Sequence, residues 1–230
     1  HLRHMEGVGG SNPSVSTIVY DNRLKQGGFF VHFSFTVCAI IKAVLGHSHQ
    51  GGFIMSIKEI HPTNMTDNVF QLIGQDWMLV SAEWNGKANA MTASWGGFGV
   101  LWARPVAYVF IRPSRYTKEF VDGSEYMTLS VFEQKYKPMM QYFGTVSGRD
   151  ENKIAKSGLI MKQYSSYTYF EEARLTLLTK KLYAQPLEER FFTERDTNVV
   201  PIKENPRIHY TEHDYHTMYI TEIEHVLIKE

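Results

Sequence analysis

Four hydrogen-bond donors fall close together in the middle of the chain, at Arg112, Ser114, Arg115 and Thr117. The spacing predicts a helix that begins here, with Ser114 as its N-cap and Thr117 three residues further on. A helix N-terminus offers free backbone N–H groups and a partial positive charge, which together favour an anion such as a phosphate. The alternative is that the arginines are solvated surface charges and that Ser114 only caps the helix.

A second turn, further along the chain, has the same character. Ser147 and Gly148 precede Arg149, and Lys153 follows within about one helical turn. We expect Gly148 to adopt a positive φ and the two basic side chains to supply charge, so that this turn binds the same anion or neighbouring hydroxyl groups. An ordinary turn with Asp150 as a helix N-cap explains the same residues.

The third unusual segment, residues 89–100, combines small and hydroxylated side chains with an indole and a group of glycines. Glycines allow a ligand to approach the backbone closely. The Gly-Gly-x-Gly spacing precedes another strand and not a helix, so it is not a dinucleotide-binding fingerprint. Two interpretations remain: a wide turn or bulge between strands, or a planar heterocycle that lies along the backbone and hydrogen-bonds to N–H groups and to Ser94 or Thr92.

The composition limits the chemistry that such a site could support. The 230 residues are 43% hydrophobic and 21% charged, which fits one large globular domain or two small ones. The 24 basic and 24 acidic side chains cancel, so a nucleic-acid-binding barrel is disfavoured and any anion site must be local. A single cysteine, Cys38, excludes an internal disulfide, a Cys-cluster zinc site and a Cys-ligated iron–sulfur centre. If the protein performs redox chemistry, we expect an organic cofactor.

Runs of β-branched and aromatic residues predict the strands that position these segments. They cover residues 77–83, 106–111, 126–132, 170–183 and 215–228. The helical signals between them are short and cover residues 116–121, 135–143, 150–156 and 187–192. Helices of this length are too brief to serve as the crossovers of a doubly wound sheet. We therefore expect an antiparallel β-barrel that carries small helices.

Residues 1–54 differ from the rest of the chain, because they contain three Gly-Gly pairs, five of the ten histidines and no sustained hydrophobic period. We predict that residues 1–54 are a leader or a poorly ordered extension and that residues 55–230 form the functional domain; the alternative is a segment with a membrane or partner role. Polar residues interrupt the apolar run 29–45, which argues against a membrane span. With one cysteine and no recognisable signal peptide, we expect a cytoplasmic protein.

Taken together, these features resemble the flavin reductase family of FMN-binding split barrels, and in particular its flavoredoxin-like branch. The resemblance rests on five blocks in the right order, at residues 89–97, 112–117, 147–150, 170–175 and 214–220. It implies a mainly β fold, a six-stranded antiparallel Greek-key split β-barrel with short peripheral helices. It also implies a homodimer that holds FMN non-covalently near the subunit interface.

The same resemblance implies a role for each predicted site residue. Those expected to line the isoalloxazine are Asn89, Met91, Thr92, Ala93, Ser94 and Trp95. Those expected to hold the phosphate are Arg112, Ser114, Arg115 and Thr117. Those expected to close the ribityl and phosphate side are Ser147, Gly148, Arg149 and Lys153. No side chain is assigned as a nucleophile or other catalytic group.

The activity implied by the resemblance is hydride transfer. We expect bound FMN to take a hydride from NADH or NADPH and to pass electrons to a free flavin or an electron-acceptor protein, with no nucleic acid or membrane as partner. The alternative is a non-enzymatic FMN electron carrier, of the flavoredoxin type, that a partner protein reduces.

Three histidines near the C-terminus, His209, His213 and His216, have a spacing that would suit a metal ion on a helix. The residues from Tyr215 onward alternate as in a strand, so the helical geometry fails and we expect no metal site. His216 is expected either to line the flavin pocket or to satisfy a buried hydrogen bond, and the sequence leaves both open.

Overall fold

The computed structural model describes residues 56–192 and 206–230. The predicted extension, residues 1–54, lies outside the described residues. Within the described ranges, no helix is long and apolar enough to cross a membrane.

Antiparallel strands are the main regular structure of the described chain. They are β1 (Ile57–Ile60), β2 (Met78–Trp84), β3 (Lys87–Ala93), β4 (Gly96–Leu101), β5 (Arg104–Ile111), β6 (Tyr126–Val131), β7 (Met161–Tyr164), β8 (Tyr167–Phe170), β9 (Leu175–Pro186) and β10 (Thr217–Lys229). The main sheet has the order β3-β2-β6-β9-β10-β5-β4, with β1 paired to β10. β7 and β8 form a separate hairpin. The main sheet therefore has eight strands, two more than the six-stranded barrel that the family resemblance implies.

The helices are short, as the sequence predicts. They are α1 (Val69–Gln71), α2 (Thr117–Gly123), α3 (Lys137–Thr145) and α4 (Lys153–Ser157). α1 continues into a π-helical turn at Leu72–Asp76, and single 3₁₀ turns lie at Pro62–Asn64, Gln134–Tyr136, Glu189–Phe191 and Pro206–His209. The predicted mainly β, antiparallel architecture with small peripheral helices is confirmed.

Two apolar clusters hold the sheet and its helices together, and β2 contributes to both. Successive side chains of a strand point to opposite faces, so Met78 and Val80 enter the main core while Leu79 packs on the other face. There Leu79 meets Met140 and Phe143 of α3, and all three are at most 1% exposed. Burying side chains of this size stabilises the fold by about 1.5–3 kcal/mol each. This packing fixes α3, and the turn that follows it, against the sheet.

Three predicted elements differ from the structure. The predicted strand 170–183 is divided, because β8 ends at Phe170 and β9 begins only at Leu175 after a charged turn in which the Ala173 N–H donates to the Phe170 carbonyl. The segment 89–100 belongs to β3 and β4, with a break at Ser94 and Trp95. The helix predicted at 187–192 is a single 3₁₀ turn.

Candidate functional site

A cavity of about 460 Å³ opens beside the end of β3; we call it the large cavity. Its lining comes from three segments that are distant in sequence, and the residues are Met91, Thr92, Ala93, Ser94, Trp95, Phe110, Arg112, Ser114, Arg115, Asp214 and His216. The first five follow β3 into the corner before β4, the next four end β5 and begin the turn to α2, and the last two precede β10. Its volume falls within the roughly 300–1,000 Å³ that is usual for small-molecule sites.

A second cavity of about 70 Å³, the small pocket, adjoins the first. It shares Met91, Ser114 and Arg115 with the large cavity. The rest of its lining is Asn89, Tyr116, Thr117, Phe143, Thr145, Val146, Ser147, Gly148 and Lys153. The two predicted anion turns therefore meet at one place, although they lie in different parts of the chain.

All predicted site residues except Arg149 line one of these two cavities. Arg149 instead faces a third cavity of about 650 Å³. Its Nη2 lies 2.5 Å from Glu119 Oε1, and its guanidinium lies 4.7 Å from the centre of the Tyr116 ring. Arg149 thus links the second turn to α2 at the outer edge of the small pocket.

The small pocket contains two cationic side chains and no carboxylate. Arg115 donates from Nη1 to the Gly144 carbonyl at 2.9 Å, and Lys153 donates from Nζ to the Phe143 carbonyl at 2.9 Å. Lys153 is only 3% exposed, and its burial, assisted by Arg115, lowers the pKa of the ammonium group to about 8. Since a carbonyl neutralises no charge, the pocket keeps a positive potential that favours an anion.

Close packing shapes the floor of the small pocket. Asn89 of β3 donates from Nδ2 to the Thr117 hydroxyl of α2 at 2.9 Å, and both side chains are buried. A Cβ at position 148 would lie 2.4 Å from Asn89 Oδ1, so this approach requires a glycine. The predicted positive φ at Gly148 is wrong, because the glycines that adopt one among the described residues are Gly86, Gly96 and Gly158.

The first turn starts its helix later than predicted. α2 begins at Thr117 with Tyr116 as its N-cap, so the prediction that Ser114 caps the helix is wrong. A hydrogen bond from the Arg115 N–H to the Arg112 carbonyl closes the turn before α2. Ser114 lines both the large cavity and the small pocket, so its hydroxyl can hydrogen-bond to a ligand in either one. In the second turn the cap of α4 is Asn152 and not Asp150.

Arg112 differs from Arg115 in its partners. Its Nη1 lies 3.1 Å from both carboxylate oxygens of Asp214, and its Nη2 donates to the His209 carbonyl at 2.6 Å. The guanidinium also lies 5.3 Å from the centre of the Tyr210 ring. Arg112 lines the large cavity and not the small pocket.

His216 lines a cavity and also forms a buried hydrogen bond. It lines the large cavity, and its Nδ1 lies 2.9 Å from the Tyr210 hydroxyl. His216 is 7% exposed, and burial, followed by the nearby Arg112, lowers the pKa of the imidazole to about 4. It is therefore neutral at neutral pH. Its ring centre lies 5.0 Å from that of Trp95, and the His209 ring packs edge-on against the same indole at 5.2 Å.

The three histidines that the sequence grouped do not meet at one point, because His209 and His216 lie against Trp95 and His213 does not. His213 is exposed and faces Glu189 and Tyr215, away from the contacts of His216. No cluster of three or more potential metal ligands occurs in the part of the chain that the structure describes.

Sequence reasoning gave no role to two residues that line the large cavity, Phe110 and Asp214. Strand alternation could have indicated Phe110, because its neighbours Val109 and Ile111 are both buried in the main core. Asp214 falls within one of the blocks that carry the family resemblance, but its contact with Arg112 joins positions 102 residues apart and has no local signal.

Comparisons with known proteins concern the family and the fold of the chain. The family model described as "Flavin reductase like domain" matches residues 70–230. No curated protein matches the chain. Among solved structures, the FMN-binding domain of a flavin reductases-like enzyme from Shewanella baltica aligns with a TM-score of 0.53 and 18% identity, over 76% of this chain and 78% of the other.

Two further structures align at a similar level. Flavoredoxin of Desulfovibrio vulgaris gives a TM-score of 0.50 and 22% identity, over 67% of this chain and 69% of the other. A Shewanella frigidimarina protein, whose description names a flavin reductase with a split barrel domain, gives 0.50 and 17%, over 69% and 71%. At these identities the likeness concerns the fold, whereas the family model covers most of the chain. The chain belongs to the flavin reductase like domain family, and its fold is a split barrel.

Proposed function

We propose that the protein is an FMN-binding oxidoreductase that takes a hydride from NADH or NADPH and passes electrons to an acceptor. The observation that carries the proposal is the junction of the two cavities. The large cavity has a volume of about 460 Å³ and is bounded by Trp95, Phe110 and His216. The small pocket contains two cationic side chains and no carboxylate. Such a junction suits a ligand with a planar body and a doubly charged tail.

The donor set of the small pocket fits a phosphate monoester. Arg115 and Lys153 supply charge, and the hydroxyl groups of Ser114, Thr117 and Ser147 supply neutral donors. Hydrogen bonds to charged groups contribute about 1.5–3 kcal/mol each. An anion beside Lys153 also favours the protonated ammonium group, which compensates for the burial that lowers its pKa.

The large cavity fits the planar part of the same ligand. The residues from Met91 to Trp95 line one side of it, where β3 ends, and the neutral His216 packs against the indole of Trp95. When bound, FMN supplies a ring system that accepts a hydride and releases electrons to an acceptor. The chain's own part is to bind the tail, to orient the ring and to leave one side of it accessible.

Anaerobic rapid mixing tests the redox part of the proposal. The chain is saturated with FMN and mixed with NADH or with NADPH, while the flavin absorption band is followed. We expect bleaching that is much faster than that of free FMN at the same concentration. If neither nicotinamide bleaches the bound flavin but dithionite does, hydride transfer is overturned and the electron-carrier alternative is favoured.

We also propose three further properties. The family resemblance supports a homodimer and an electron acceptor that is a free flavin or a protein, and the single cysteine supports a cytoplasmic location. Sedimentation equilibrium of the full chain tests the first of these. A single-chain mass at micromolar concentration, with FMN bound, would overturn the homodimer.

A further inference from the structure

We propose that Arg112 is a positioning residue and not a phosphate ligand. On this proposal, which rests on the proposed function, Arg112 holds residues 206–216, the histidine segment, so that Asp214 and His216 form the wall of the large cavity against which the nicotinamide-type hydride donor docks.

The hydrogen bonds of Arg112 already point to the histidine segment. Nη1 reaches both Asp214 oxygens and Nη2 reaches the His209 carbonyl, while the guanidinium carbon lies 5.3 Å from the centre of the Tyr210 ring. Bonds between a guanidinium and a carboxylate are charge-assisted and stronger than neutral ones. A phosphate at this position would have to compete with Asp214 and approach its negative charge.

The charges at the two ends of the site fit this difference between Arg112 and Arg115. Arg115 and Lys153 line the small pocket, and neither forms an ion pair with a carboxylate among the described residues. Arg112 and Asp214 line only the large cavity, where they form a pair with no net charge. A dianion is therefore attracted to the small pocket, and the other end of the site offers it no comparable field.

The histidine segment places aromatic groups against one indole. Its His209 ring packs edge-on to Trp95, and its His216 ring lies 5.0 Å from the same indole. The hydroxyl of Tyr210 joins the segment internally to His216 Nδ1. Arg112 lies just beyond the end of β5, so its bonds tie this irregular segment to the sheet. Without them, we expect both histidines to lose their fixed positions relative to Trp95.

Two matched substitutions separate the two roles by the direction in which each one changes binding. Arg112→Gln and Asp214→Asn each break the same ion pair from one side. If Arg112 positions the segment, both variants change the KM for the nicotinamide in the same direction. If Arg112 binds the phosphate, Asp214→Asn releases the cation and strengthens FMN binding, whereas Arg112→Gln weakens it. Arg115→Gln serves as the comparator, because Arg115 lines the small pocket.

The first measurement is the affinity of each variant for FMN and for riboflavin, since their ratio isolates the phosphate. We expect Arg115→Gln to lower that ratio about 10-fold or more, as the loss of a charge-assisted bond predicts. Arg112→Gln and Asp214→Asn should leave the ratio within about threefold and should both raise the KM for the nicotinamide about 10-fold, on the scale of one lost polar contact. Opposite shifts in FMN affinity for the latter two variants would overturn the proposal.

A second measurement needs no bound flavin. In the flavin-free protein, Arg112→Gln and Asp214→Asn should shift the tryptophan emission in the same direction, and the shift should vanish in a Trp95→Phe background. Arg112→Lys should show a smaller shift, because lysine keeps the positive charge but lacks the two guanidinium nitrogens that bond Asp214 and His209. Unchanged emission in folded variants, checked by circular dichroism, would overturn the positioning role even if FMN binding fails and the proposed function falls with it.

Discussion

The two ends of the site use arginines from the same turn for different purposes. Arg115 bonds the carbonyl of Gly144, which does not neutralise its charge. Arg112 instead pairs with the carboxylate of Asp214, and its hydrogen bonds go to the histidine segment. The two residues lie three positions apart in one motif. Their difference shows that the role of a cation in a binding motif depends on the partner that the fold brings to it.

The two ends also differ in how they are built. The small pocket contains buried side chains from one strand and three helices, and the Asn89 to Thr117 and Lys153 to Phe143 hydrogen bonds lie within it. The opposite end is a turn-rich segment in which His213 adopts a φ of 52°. We therefore expect substitutions in the small pocket to affect both stability and FMN affinity, and changes in the histidine segment to affect the second reactant.

The largest effect is expected from Gly148→Ala, which would break the small pocket. The new Cβ would lie 2.4 Å from Asn89 Oδ1, so Asn89 must move and lose its bond to Thr117. We expect the free energy of unfolding to fall by about 1–3 kcal/mol, together with a clear loss of FMN affinity, measured by chemical denaturation and by titration.

The matched control for that variant is Gly144→Ala. Its Cβ would meet the nearest atom, Thr92 Cβ, at 3.5 Å, and it lies near the end of α3, where alanine is well tolerated. Equal losses in the two variants would show that the approach to Asn89 is unimportant.

A smaller effect is expected from the titration of Lys153. It changes the affinity for FMN by about 10-fold per pH unit at most. Its pKa is lowered to about 8 by burial, and a phosphate favours the protonated form, so FMN binding takes up a proton and weakens as the pH rises above about 8. Riboflavin, which lacks the phosphate, should show no such slope. Calorimetric titrations at several pH values would reveal it, and Lys153→Met should abolish it. A slope that persists in Lys153→Met would assign the proton to another group.

The effect expected at the opposite end concerns stability and not FMN affinity, and it comes from His216. Its folded-state pKa of about 4 lies below the ordinary value of 6.5, so between these values the unfolded chain binds more protons than the folded one. The contribution to stability is therefore complete above about pH 6.5 and is lost as the pH falls towards 4. Denaturation of the wild type and of His216→Asn between these limits should show a shallower slope in the variant.

The exposed His213 supplies the control for that comparison. His213→Asn should leave the pH dependence of the wild type unchanged. If His213→Asn flattens the slope as much as His216→Asn does, burial of His216 is not its cause.

The part of the site that the sequence predicts is the part encoded locally. The clustering of Ser114, Arg115 and Thr117, and the glycine at 148, are visible in short windows, and the structure places all four around the small pocket. The same windows mislead on detail, because α2 begins only at Thr117 and Gly148 is required by contact and not by its φ.

The part that the sequence does not predict depends on contacts between distant segments. Nothing near Arg112 indicates that Asp214 will pair with it, and the five predicted strands do not reveal that β8 and β9 are separate. The edge strand β4 is also missed, because its glycines and exposed Val100 do not form a β-branched run. The antiparallel fold itself is predicted, because its central strands carry continuous apolar runs.

Titration of the full chain with FMN, followed by flavin fluorescence, tests the central claim most directly when the wild type is compared with the double variant Arg115→Gln/Lys153→Met. We predict one FMN per chain for the wild type and an affinity lower by about 100-fold or more in the double variant, since two charge-assisted contacts are lost. Equal affinity in both proteins would contradict the placement of the phosphate in the small pocket.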